Sequence, residues 1–91
     1  MREISPAVRQ DIRNRLCRIE GQARGVQRML DQRRSCTEIL PQLAAIRSAA
    51  YQASLILVQN HALDCLSDPD RSTSTEDIVN DVIGVLAKMP H

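Results

Sequence analysis

The sequence has no tryptophan, no phenylalanine and a single tyrosine, so no aromatic cluster can form its core. Its apolar residues are mostly Leu, Ile, Val and Ala, which suits helices packed on helices. Three cysteines, an odd number, argue against a disulfide framework. No signal-like apolar run follows "MREISPAVRQ", and together these features point to a reducing cytoplasm. No apolar stretch approaches the length that spans a bilayer, so no membrane association is expected. A Ser/His/Asp set and a glycine-rich phosphate loop are both missing, and both histidines fall in the second half of the chain. A long straight helix offers a thiol nucleophile no pocket, so enzymatic activity is not expected. At 91 residues the chain is long enough for one small domain, spanning 1–91. A single copy would bury a thin core, which favours oligomerisation.

The net charge of +1 conceals an uneven distribution. Residues 1–34 carry nine arginines against four acids, a local +5, whereas residues 35–91 sum to −4. Arginine rather than lysine supplies the basic half, and the guanidinium fork suits phosphate, so an anionic partner is one reading. A merely solvated helix face is the other.

Three helices can be read along the chain, over about 6–32, 36–66 and 75–88. Ser5-Pro6 is an N-cap followed by proline at the first helical position. Val8, Ile12, Leu16, Ile19, Ala23, Val26 and Leu30 then recur at three- and four-residue steps. Gly21 and Gly25 weaken this helix unless another helix approaches closely there. Ser35 and Glu38 form a capping box that opens the second helix. Along it Cys36, Ile39, Leu43, Ile46, Ala50, Ala53, Leu57 and His61 share a stripe. Pro41 predicts a local kink or a loosened first turn. "SDPDRSTST" reads as a polar linker, and Thr73 with Glu76 offers a capping box for a short third helix containing Ile78, Val79, Val82, Ile83 and Leu86. Met1 and His91 are expected to be disordered.

His61 and Cys65 stand one helical turn apart on one face, two soft-metal donors that cannot close a site alone. Cys36 lies on the same stripe 25 residues earlier, about 38 Å away at about 1.5 Å per residue. The three can meet only between chains. If two second helices pack antiparallel, facing Cys36 to the His61–Cys65 turn puts the two-fold axis near residues 49 to 50. The sequence there, "AAIRSAAYQA", is rich in small residues that permit close approach. Each dimer would then hold two sites, with Cys36 from one chain and His61 and Cys65 from the other. Two thiolates and one imidazole favour Cu(I), with Zn(II) requiring a fourth ligand. Against this stands the plainer reading that the cysteines are small buried hydrophobes and the histidine a helix-end cap. Cys17 falls among Arg13, Arg24 and Arg28, either a redox- or electrophile-sensitive thiol or a semi-exposed cysteine of no consequence.

"RLCRIEGQARGVQRML", "SCTEILPQLAAIRSAA" and "NHALDC", in this order, resemble the CsoR/RcnR/FrmR family of bacterial metal- and stress-sensing transcriptional repressors. The resemblance spans nearly the whole chain, and the Cys–His–Cys pattern is closest to the copper-sensing branch. It implies an all-α fold in which a three-helix protomer forms an antiparallel helical-bundle dimer and then a disc-like tetramer. It also implies operator DNA binding by the apo form and release by Cu(I), one ion per protomer at an inter-subunit site. Cys36, His61 and Cys65 match the copper ligands, and Arg15 matches a DNA-binding position. An arginine-rich face is expected to meet DNA, with Arg13, Arg15, Arg18 and Arg47 as candidates. Many members carry a basic residue where this chain has Gln52, a loss for which Arg47 or other arginines can compensate. Copper sensors often carry Tyr where this chain has Ser35 and Glu where it has Asp81. Both positions belong to the outer shell; Asp81 can still serve, whereas Ser35 cannot replace a phenol. Other inducers within the family (Ni, Co or Zn ions, or thiol-reactive species at Cys36) and a copper storage or chaperone bundle are the alternatives.

Overall fold

The computed structural model describes residues 4–67 and 74–88, without the side chains of Cys65 and Ser67. The expected disorder of Met1 and His91 and most of the polar linker lie outside these residues. Three helices, α1 (Pro6–Asp31), α2 (Cys36–Ser67) and α3 (Thr75–Ala87), make up the chain, with no strand among the described residues.

Ser5 starts α1 as the pattern predicts: its hydroxyl accepts from the Val8 N–H at 3.2 Å, and Pro6 takes the first turn. The end of α1 is less ordinary. Arg34 N–H bonds to Met29 C=O at 2.9 Å and Arg33 N–H to Leu30 C=O at 3.1 Å, the paired bonds of a Schellman motif. Arg33 occupies the left-handed position normally given to glycine, with φ 58°. A side chain there costs about 1–2 kcal/mol, which the two recovered carbonyl bonds help to offset.

The four-residue turn folds α2 back along α1. Val8 shares a groove with Ile56, Asn60 and Leu63, and Arg18 shares another with Ala49 and Gln52, as an antiparallel hairpin requires. α2 runs through Pro41 without interruption. Proline there removes only the bond that would reach Thr37 C=O, and both residues are exposed, so water can satisfy that carbonyl. The α3 N-cap is Ser74, not Thr73. The Ser74 hydroxyl accepts from the Asp77 N–H at 3.2 Å, and Glu76 and Asp77 place negative charge in the first turn. Four consecutive hydroxyl residues, 72–75, made the capping position ambiguous in the sequence.

Among the described residues, only Val26, Ala53 and Ile78 are buried. Large apolar side chains stay open: Leu40 is 57% exposed, Leu63 56% and Ile83 57%. The radius of gyration, 17.4 Å, exceeds the value of about 12 Å for a compact domain of this length. The accessible surface is 6860 Å², against about 5,300 Å² for a folded monomer of this mass. The chain is elongated and buries little apolar surface on its own.

No helix of this chain approaches the α1 glycines. A methyl group at Gly21 would meet nothing within 4 Å, and one at Gly25 would touch only the Arg28 guanidinium, at 3.7 Å. Gly21→Ala is therefore expected to gain about 1 kcal/mol and raise the thermal midpoint followed by circular dichroism. A lowered midpoint would show that another chain packs against this position.

Candidate metal centre

Cys36 is the first residue of α2 and is exposed. Its neighbours are tightly engaged. Both Nε and a terminal nitrogen of Arg34 donate to one Glu38 carboxylate oxygen. The Ser35 hydroxyl donates to the other at 3.1 Å, and Ser35 and Thr37 hydroxyls lie 3.0 Å apart. A hydroxyl has one proton, so with that of Ser35 on Glu38, Thr37 donates to Ser35. The predicted capping box is therefore not formed as expected: the Glu38 N–H bonds to the Ser35 C=O at 3.0 Å, and the Ser35 hydroxyl, which should accept from that N–H, donates to the carboxylate instead. The Arg34 hydrogen bond first, then that of Ser35, holds the Glu38 carboxyl below its ordinary value of 4.5.

At the other end of α2, His61 meets α3. Its Nε2 lies 2.8 Å from Asp81 Oδ2, and the imidazole is 16% exposed against 61% for the aspartate. Burial of Ile78, one turn before Asp81, presses this part of α3 onto α2 and sets the carboxylate at the ring. The structure therefore brings His61 and Asp81 together across 20 residues of sequence. It leaves Ser35 and Cys36 at the far end of α2. Among the described residues no three His, Cys, Asp or Glu side chains converge. Cys65 lies in α2 one turn beyond His61, with its side chain outside the description.

The arginines divide between faces. Arg15 and Arg18 line a recess with Gln22, Ala49 and Gln52. Arg13 stands two residues before Arg15, about 200° around the helix, so the two cannot serve one narrow surface. Arg47 is exposed but does not line that recess. Gln22 carried no signal in the sequence, because its contribution depends on where α1 crosses α2. No described helix is long and apolar enough to cross a membrane.

Residues 8–88 match the family of metal-sensitive transcriptional repressors, and the chain belongs to that family. It is thus a regulator and not an enzyme. Over 77 residues it is 39% identical to the copper-sensing transcriptional repressor CsoR of Bacillus subtilis, covering 85% of this chain and 76% of that protein. It is also similar to the copper-sensing repressor CsoR with Cu(I) from Geobacillus thermodenitrificans (TM-score 0.78, 35% identity), covering 97% of this chain and 92% of that one. Similarity extends to the nickel-responsive transcriptional regulator InrS (TM-score 0.73, 32% identity), covering 87% and 89% of the two chains.

The lowered Glu38 pKa has a definite sign. Its contribution to stability is complete above the ordinary value of 4.5 and is lost as pH falls through the folded value. Glu38→Gln should therefore unfold more easily than the parent at neutral pH, and the gap should close in acid. A gap that persists unchanged in acid denaturant titrations would remove the carboxylate as its cause.

Proposed function

We propose that this protein is a Cu(I)-responsive repressor whose apo form binds operator DNA and whose metal centre is shared between subunits. The observation that carries the reading is the unbroken α2, with an exposed thiol at its first turn and a carboxylate-anchored imidazole near its last. Antiparallel pairing of two α2 helices places Cys36 of one chain beside His61 and Cys65 of its partner. It also covers Leu40 and Leu43, 57% and 47% exposed in the single chain and on the same side of α2 as Cys36. The Asp81 carboxylate at Nε2 of His61 orients the ring and raises its basicity toward a metal. Two thiolates and one imidazole fit the low coordination number and softness of Cu(I). The site holds one ion per protomer, with Asp81 in its outer shell. Ser35 is spent on Glu38 and Thr37 and stays in its own turn.

Repression uses DNA charge. Arg15 and Arg18, joined by Arg13 and Arg47, form basic surfaces that a homotetramer of two such dimers multiplies, in the cytoplasm. Ligation ties the start of one α2 to the end of another and draws on the α3 contact through His61. Release follows only if the donors are better placed in the DNA-free state.

Anaerobic Cu(I) titration of the reduced protein against a competing chelator tests this reading. One tight equivalent per protomer, lost in Cys36→Ala and accompanied by release of a bound promoter fragment, is expected. Weak binding would remove copper and direct attention to nickel or to thiol chemistry at Cys36. Asp81→Ala should weaken Cu(I) affinity about 10- to 100-fold. His61→Ala should lose DNA release out of proportion to affinity; strictly proportional losses would end its role as the coupling residue.

A further inference from the structure

The backbone that carries Cys36 is short of hydrogen bonds. Pro41 has no N–H to give to the Thr37 C=O, so the first turn of α2 lacks one of its helical bonds. The Ser35 hydroxyl does not cap that turn, and the Glu38 N–H shares the Ser35 C=O with that of Ile39, at 3.0 and 3.1 Å. Side chains supply what the backbone lacks. One Glu38 carboxylate oxygen accepts two Arg34 N–H groups, and the other accepts the Ser35 hydroxyl at 3.1 Å. A single carboxylate beyond Cys36 thus ties down both residues that precede it. Arg34 is in turn fixed to α1, its N–H bonding to the Met29 C=O at 2.9 Å. The pairs Asp11–Arg15 and Glu20–Arg24 lie wholly inside α1. The Arg34–Glu38 pair instead crosses from the turn into α2.

We infer that Glu38 is a positioning residue for the Cys36 thiol, its carboxylate bracing the α1–α2 turn against Arg34 and Ser35 before any metal binds. The inference rests on the shared-metal reading above and adds Glu38 and Arg34 to the residues that serve it. Both carboxylate oxygens of Glu38 are engaged within the turn, so its part is to hold a ligand rather than to be one. Exposed ion pairs add little to overall stability, and the Arg34 and Glu38 side chains are nearly half exposed. Their weight is therefore local, on the order of one turn. A donor on a loose turn must be immobilised when the metal binds, and that cost is subtracted from affinity. His61 and Cys65 stand together in a continuous stretch of helix, whereas Cys36 comes alone from the first turn. Bracing matters most there.

The test reads amide hydrogen exchange of the reduced apo protein beside Cu(I) titration against a competing chelator, with thermal unfolding as a control of folding. Glu38→Ala and Arg34→Ala are each expected to lower Cu(I) affinity about tenfold and to speed exchange at the amides of residues 38 and 39. The double variant should lose no more than either single one, since both break the same contact. Arg34→Lys, which keeps a cationic donor, should recover most of the affinity. Pro41→Ala restores an N–H for the Thr37 C=O, so the loss caused by Glu38→Ala should shrink in that background. Wild-type affinity in both single variants would overturn the assignment, as would additive losses in the double variant. Lost affinity with exchange unchanged would also overturn it, because the carboxylate would then act other than by ordering the turn. A wild type that binds no Cu(I) would instead sink the shared-metal reading, and the positioning role with it.

Discussion

The length of α2 is the constraint on which the rest depends. A continuous helix is stiff, and 25 residues of it separate Cys36 from His61, so no motion short of breaking the helix can bring these donors together in one chain. Crossing Pro41 without a break keeps that distance intact. One side of α2 is taken by α1, and α3 covers another part near His61. Among the described residues, Leu40 and Leu43 of α2 stay about half exposed, and a helix apolar on several sides is one that other helices cover.

Surface area leads to the same view. The chain exposes roughly 1,500 Å² more than a compact monomer of its mass would. Two chains that buried this surplus against each other would cover about 3,000 Å², within the range of obligate homodimers. Folding and association would then be one event, with the proposed metal centre at the same contact. The small residues near the middle of α2 are consistent with this, since they allow two long helices to meet at a short distance.

Much of the fold was legible in the sequence because helix ends and apolar steps are local signals. Ser5, Pro6 and the Ser35–Glu38 pair marked their boundaries within a residue or two. Arg33 was not legible: glycine normally announces a left-handed turn, and here hydrogen bonding holds an arginine in that conformation. The purpose read into Gly21 and Gly25 does not hold within the chain, since close approach is a property of packing rather than of composition. The site was partly legible. One-turn spacing paired His61 with Cys65, whereas the contact with Asp81 was an expectation from the family resemblance and now has a geometry. The recess that Arg15, Arg18 and Gln22 share with α2 could not be read, because it depends on the register between two helices.

The separation of donors along α2 also has a genetic consequence. Under antiparallel pairing, a chain lacking Cys36 still offers an imidazole, and a chain lacking His61 still offers the Cys36 thiol. Each is defective as a homodimer, yet a mixed dimer of the two has one complete centre and one empty of both donors. Such alleles would complement one another inside a cell, and the degree of rescue would report how many occupied centres an assembly needs before it lets go of DNA.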